Sequence, residues 1–267
     1  MRKIIFLFLI MNTIYCFGQE DLIEVGFTDN NLKGNIKKIV ETKYSSLQYY
    51  KSKEKNPEAT KHIYTFNIRN LITQIEDFDS SEKPYKTRIA TYKNNNLVNI
   101  SQDFPNKTFT ILNSYKYDGS NRLIEKRFLN QIAYYTYNKL GQLVEKDTYY
   151  DDKSLKDKVI NTYVNNQKKI SIYKDYDGKT YFKTEKKYNT SNRETEELDY
   201  LSDEKTISSK RYTEYDKYGN ITKHTPFYSD VLTVTYFYKY DSKGNWIEKM
   251  EFRDGKEEEK TIRAIEY

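Results

Sequence analysis

The chain has 267 residues, with 45 Lys or Arg against 39 Asp or Glu, a formal charge of +6. A charged fraction of 31% in near balance and a mean hydropathy of −0.94 argue for a water-exposed, mixed-charge surface, and against a basic nucleic-acid footprint. The 28 tyrosines supply most of the large surface that a core could bury, and their hydroxyls suit a thin core lying close to water.

The N-terminus reads as an export signal over residues 1–18. Arg2 and Lys3 precede the apolar run Ile4 to Met11, which is too short to span a bilayer as a helix. Cys16 and Gly18 are the small residues before a cut at Gln19. Cleavage there leaves a mature chain without cysteine, and so without a disulfide, a thiol nucleophile or a cysteine metal site. The alternative is a lipoprotein acylated on Cys16, although Tyr15 stands where that signal takes a small residue. Residues 19–267 read as one domain with no apolar run of membrane length.

Next comes LKGNIKKIVETKY, a first repeat unit that lacks its aromatic anchor, and then a polar insertion from Ser45 to Lys61. Regular units follow, anchored at Phe66, Tyr92, Tyr117, Tyr137, Tyr163, Tyr188, Tyr215 and Tyr240 and spaced by roughly 25 residues. One position after the anchor stands Asp or Asn in six of the eight units, Lys93 and Val164 being the exceptions, and such a residue opens a turn by bonding its own downstream backbone. Four positions after it stands Gly or Asn in seven of the eight units, Gln167 being the exception, and such a residue tolerates positive φ and closes a three-residue hairpin loop with a bulge. Six positions after it stands an apolar residue in six of the eight units; Lys169 and Glu194 are the exceptions.

The pattern predicts repeated β-hairpins with anchor and +6 residue opposed across the strands, and with −2 opposed to +8. The expected turn residues are Asp118 and Asn121, Asn138 and Gly141, Asp216 with Gly219 and Asn220, and Asp241 with Gly244 and Asn245. The segment Tyr150 to Lys158 reads as a loop between units. Sixteen to eighteen strands are more than an open sheet holds flat, so the expected fold is all-β. It is a single antiparallel meander, strongly twisted or coiled, up to half-closed on itself.

YDKYGNITK from Tyr215 and YDSKGNWIEK from Tyr240 resemble the YD or Rhs repeat, as do YDGSNRLIEK and YNKLGQLVEK. The resemblance implies a spiralling hairpin sheet and export to the envelope or beyond. In large members of that family the sheet wraps a toxin payload; here the tail EEEKTIRAIEY reads as a last strand. No catalytic residue carries over.

The residues offer little chemistry. His62 and His224 are the only histidines and lie far apart. Asp151 and Asp152 lack the spaced acids of a calcium loop, and no nucleophile, phosphate-loop or zinc motif occurs. Trp246 occupies the +6 core position rather than that of a sugar platform. An outer-membrane barrel is disfavoured because Glu145, Lys146 and Asp147 put charge on both faces of one strand. The expectation is therefore an exported, non-enzymatic β-repeat protein of the periplasm or cell exterior, without metal, cofactor, nucleic acid or membrane span. It would act as an interaction or structural module toward a cell-surface protein or polysaccharide. A carbohydrate-binding protein using exposed tyrosines and an unrecognised hydrolase are the alternatives.

Overall fold

The computed structural model describes residues 32–45, 59–79, 82–104, 107–227 and 232–267. The leader, Cys16 and most of the polar insertion lie outside them. The described residues contain eighteen strands and no helix. In chain order these are β1 (Lys38–Tyr44), β2 (Thr60–Phe66), β3 (Ile72–Phe78), β4 (Pro84–Lys93), β5 (Asn96–Phe104), β6 (Lys107–Tyr117), β7 (Leu123–Phe128), β8 (Gln131–Tyr137) and β9 (Leu143–Tyr150). The second half comprises β10 (Leu155–Val164), β11 (Gln167–Asp175), β12 (Thr180–Tyr188), β13 (Glu194–Tyr200), β14 (Ile207–Tyr215), β15 (Ile221–Phe227), β16 (Val234–Tyr240), β17 (Trp246–Arg253) and β18 (Lys256–Glu266).

Each strand pairs antiparallel with the next, and β1 pairs with both β2 and β18. The meander is therefore a closed barrel, which corrects the half-closed sheet expected from the repeats. The reason lies in the register. Tyr117 faces Leu123, as expected, but Lys116 faces Glu125, so Ile124 is an extra residue. The same bulge follows Phe66, Tyr137, Tyr188, Tyr215 and Tyr240. It places −1, not −2, opposite +8. A bulge bends its strand and deepens the local twist, and one in each hairpin supplies the curvature that closure needs.

Two units depart from the expected turn. Left-handed φ falls on Asn94 and Asn95, and on Asn165 and Asn166, rather than on Asn96 and Gln167. Lys93 pairs with Asn96 and Val164 with Gln167, so these are two-residue hairpins. Consecutive Asn residues at positive φ give the tight turn whose twist matches the strands.

The ninth unit is split between the two ends of the chain. Glu266 pairs with Lys38, which places Tyr267 at the anchor position of the unit whose left-handed residue is Gly34, at φ 84°, and whose +6 residue is Ile36. The aromatic missing from the first unit is the chain's last residue.

Buried strand residues project to one face, Ser101 beside a bulge in β5 excepted. In a closed sheet the inner face is where side chains converge, so this is the inner wall. Substantial contact between strands is confined to hydrogen-bonded neighbours, and the wall is a single layer. Eighteen strands ~4.8 Å apart at a ~40° tilt give a circular section about 36 Å across, the size at which closed sheets enclose a channel rather than a filled core. The apolar lining is one-sided. Ile39, Tyr64, Ile75, Ile100, Tyr115 and Leu123 cluster along β1 to β7.

Gly141 and Gly219 test the turn geometry. A Cβ on Gly141, at φ 77°, meets nothing within 4 Å, whereas one on Gly219, at φ 97°, lies 2.5 Å from the Arg193 guanidinium. Gly141→Val is expected to cost about 1–2 kcal/mol from backbone strain alone. Gly219→Val is expected to cost more, because Arg193 must also leave its place over the Tyr215 ring. The urea midpoints at unchanged slope measure both, and equal costs would mean that Arg193 yields freely.

Candidate functional site

All the expected turn residues lie on one rim of the barrel. Asp118 Oδ1 accepts the backbone N–H groups of Ser120 at 2.8 Å and Arg122 at 2.9 Å. Asn138 does the same for Leu140 and Gln142. Asp216 accepts from Tyr218, Gly219 and Asn220, and Asp241 from Lys243 and Asn245. Asn121, Gly141, Gly219 and Gly244 have φ of 60°, 77°, 97° and 83°. Asn220 Nδ2 donates to the Tyr240 hydroxyl, and Asn245 Nδ2 to that of Tyr267. Burial opposes the charge on Asp216, but the Tyr240 hydroxyl and the turn's N–H groups outweigh it and hold the carboxyl below its usual range. Burial, and then the bond to Asp216, push the Tyr240 hydroxyl up.

The anchors do more than fill space. The hydroxyls of Tyr92, Tyr117, Tyr137, Tyr163, Tyr188 and Tyr215 each donate to a carbonyl of the preceding unit, at 2.7–2.9 Å. The acceptor is always the residue opposite the previous anchor: Ile72, Leu97, Leu123, Leu143, Lys168 and Glu194 in turn. The hydroxyls thus stitch each hairpin to the next. The signal for this was the choice of Tyr over Phe at seven of the eight anchors, which a reading of the anchor as an aromatic core residue passes over. Tyr137→Phe is expected to cost about 1 kcal/mol in urea unfolding, the net value of one such bond. An unchanged midpoint would leave the hydroxyl ladder without energetic weight.

The inner wall carries two polar rows. In the first, Arg263, Glu41, His62, Asp77 and Lys86 are direct cross-strand neighbours from β18 to β4. Arg263 Nε bonds Glu41 at 2.8 Å and its guanidinium lies over the Trp246 ring. Asp77 is 1% exposed and touches His62 Nδ1 at 2.6 Å, Lys86 Nζ at 2.8 Å and Arg88 at 2.8 and 2.9 Å. Burial alone would raise the Asp77 carboxyl; His62, Lys86 and Arg88 reverse this and hold it at about 2.

The second row runs across β10 to β14 on the far side of the barrel. Asn161, Ser171, Thr184, Asp199 and Ser209 oppose one another in register, all more than nine-tenths buried. Ser171 Oγ donates to Asn161 and Ser209 Oγ to Asp199. Beside this row Glu197 is paired with Lys186 and Arg211.

His62 and His224 both face inward, but they sit on β2 and β15. Among the described residues no three His, Cys, Asp or Glu side chains are grouped to hold a metal. Asp151 and Asp152 lie on the rim opposite the hairpin turns, where Asp152 bonds Ser154. Trp246 is buried opposite Tyr240, packed by Tyr238 and Arg263. The strip from Tyr236 to Tyr240 alternates faces, with Phe237 pointing outward at 61% exposure. The first row pairs its charges across the strands, whereas in the second the buried Thr184 Oγ1 and Asp199 Oδ1 have no hydrogen-bond partner and Arg211 stands 3.9 Å from Asp199.

The outer wall is charged as well. Lys158 bridges Glu145 and Asp147 at 3.0 and 3.2 Å, Lys183 meets Glu185 at 2.8 Å, and Lys239 meets Glu248 at 2.9 Å. Lys187 and Glu196 add a further pair at 3.1 Å.

No family model matches the chain, and no curated protein does. Solved structures similar to it include a porin-like protein from Bacteroides uniformis, at 14% identity and TM-score 0.46, with 86% of this chain and 96% of that one covered. A porin-like protein from Bacteroides vulgatus follows at 10% identity and TM-score 0.38, covering 86% and 98%. A chain of the TcdB2-TccC3-Cdc42 crystal structure is similar at 11% identity and TM-score 0.39; 73% of this chain spans 12% of that one. At these identities and scores the likeness carries no function, and the functional reading rests on the chain's own residues.

Proposed function

We propose that this chain is an exported, non-enzymatic barrel of β-hairpin repeats, working in the aqueous phase of the cell envelope or outside the cell as an interaction and structural module. The observation that carries this reading is the outer wall. A lipid-facing barrel needs a continuous apolar band, and Lys158, Lys183, Glu185, Lys187, Glu196, Lys239 and Glu248 interrupt it between β10 and β17. The uniformity of the turns supports it, since enzymes concentrate strain and irregularity at one site. The leader over 1–18 supplies the route, with 19–267 as the exported domain.

Two measurements on the protein expressed with its leader test the reading. Intact mass is expected to start at Gln19, and the barrel is expected to stay monodisperse without detergent. A detergent-dependent protein, or one acylated on Cys16, overturns the aqueous module. A carbohydrate-binding reading draws on the ring cluster of Tyr173 with Tyr181 and Phe182, at 6.3 and 5.4 Å, and on exposed Tyr176 beside it. Binding on a glycan array that is lost in Tyr181→Ala would favour it.

A further inference from the structure

The two rims of the barrel differ in charge. Among the described residues the hairpin turns lie on one rim and the return connections on the other, because the meander alternates between them. On the hairpin rim Lys33, Arg69, Lys139, Lys217 and Lys243 are exposed. The acids of that rim, Asp118, Asp216 and Asp241, are half-buried and turned into their own turns. No acidic side chain is exposed among the described hairpin-turn residues.

The return rim is the reverse. Asp79, Asp151, Asp152, Asp177, Asp203 and Asp254 are all exposed between strands, and outnumber Lys83, Lys153, Lys179 and Lys205. Each rim also presents bare apolar residues: Ile68 and Leu140, 92% and 78% exposed, on the basic rim, and Leu129 and Tyr176, 87% and 70% exposed, on the acidic one.

We infer that the basic rim of one barrel docks on the acidic rim of a second copy, so that barrels stack end to end. The complementary surface is the other end of the same cylinder, a ring of the same diameter and opposite sign. Opposed charge steers such contacts and fixes their register, while apolar residues inside a charged margin supply the desolvated centre. The two ends are different surfaces, so the contact is heterologous and does not close on itself, and it generates rods rather than a dimer. The inference names the partner of the module proposed above and rests on that reading. The two fail separately, because membrane insertion is read by detergent dependence and stacking by the size of the soluble protein.

Sedimentation velocity on the exported chain tests it. The wild type is expected to grow with concentration at low salt, and raising salt from about 50 to about 500 mM is expected to weaken the association at least about tenfold, since exposed charges are screened. Lys139→Glu with Lys217→Glu, and separately Asp151→Lys with Asp177→Lys, each remove association. Mixing the two variants restores one contact per pair, because the unaltered basic rim of the second variant meets the unaltered acidic rim of the first, and the mixture forms pairs rather than rods. Lys139, Lys217, Asp151 and Asp177 stand in turns rather than in strands, and circular dichroism confirms that each variant keeps the wild-type sheet. A wild type that stays monomeric at every salt concentration overturns the inference, as do variants that associate normally or a mixture that fails to. If the wild type is monomeric yet retains inorganic polyphosphate through Lys139 and Lys217, the basic rim is a polyanion site and stacking is wrong.

Discussion

Asp77→Ala is expected to be the most damaging single change in the inner wall, costing about 3–5 kcal/mol, because it leaves buried cations without their counter-charge. The carboxylate is 1% exposed and holds His62, Lys86 and Arg88 together across β2, β3 and β4. Asp77→Asn keeps the shape but loses the charge, and is expected to cost about half as much. The pH dependence carries the same signature. Folding lowers this carboxyl from 3.8 to about 2. Its contribution is therefore fully present above about pH 4 and is lost as pH falls through 2, an amount of about 2 kcal/mol. Urea unfolding between pH 2 and 5 should show wild-type stability falling over that window, and a flatter profile for Asp77→Asn. Asp151→Ala, on an exposed return, serves as the control and should move the midpoint by less than about 0.5 kcal/mol. If Asp77→Ala behaves like that control, the row from Arg263 to Lys86 is decoration rather than structure.

The hairpins were legible because their signals are local. Asp118, Asn138, Asp216 and Asp241 cap turns within five residues, so the residues alone foretell the geometry, and Tyr117 meets Leu123 as the spacing requires. What was not legible is what arises between units. The bulge after each anchor leaves no residue type of its own: Ile124, Val144, Thr195, Thr222 and Ile247 are ordinary strand residues. Without it the curvature was underestimated and closure missed. The two-residue turns at Asn94 and Asn165 were hidden for another reason. An Asn-Asn pair suits either loop length, and only the cross-strand register decides. The polar rows were invisible because Glu41, His62, Asp77 and Arg263 are far apart in sequence and meet only once the ends of the chain are joined. Charge on both faces of a strand speaks against an outer-membrane barrel, not against closure. It counts against a lipid-facing outer wall, but a wide barrel with a polar interior and a polar exterior accommodates it.

That joining is itself open to test, and Tyr267→Ala is expected to loosen it by about 2–4 kcal/mol, combining the loss of an aromatic ring with the loss of its hydroxyl bonds. Tyr267 packs against the apolar cluster of the inner wall, its hydroxyl reaches Asp241 and accepts from Asn245 Nδ2, and its ring lies 3.3 Å from where a Cβ on Gly34 would stand. These are the contacts that Tyr240 makes to Asp216 and Asn220 one unit earlier, so the last residue continues the rim network rather than ending it. Around it the seam is held by seven registered pairs between β1 and β18 and by Arg263 on Glu41. Tyr267→Phe keeps the ring and should cost only about 1 kcal/mol. Tyr134→Ala, on the outer wall at 42% exposure, should cost less than Tyr267→Ala, although it removes the same side chain. A circular permutant makes the stronger demand. Tyr267 stands at the anchor and Gly34 four positions on, so a direct peptide bond from Tyr267 to Asn31 completes a hairpin of the same length as the one from Tyr240 to Gly244. With new ends opened in the return between β1 and β2, this permutant should fold to the same sheet, and Tyr267→Ala should still weaken it. A permutant that fails to fold, or an end aromatic that can be removed without cost, would show that Tyr267 and Gly34 are neighbours at an open edge rather than two halves of one hairpin.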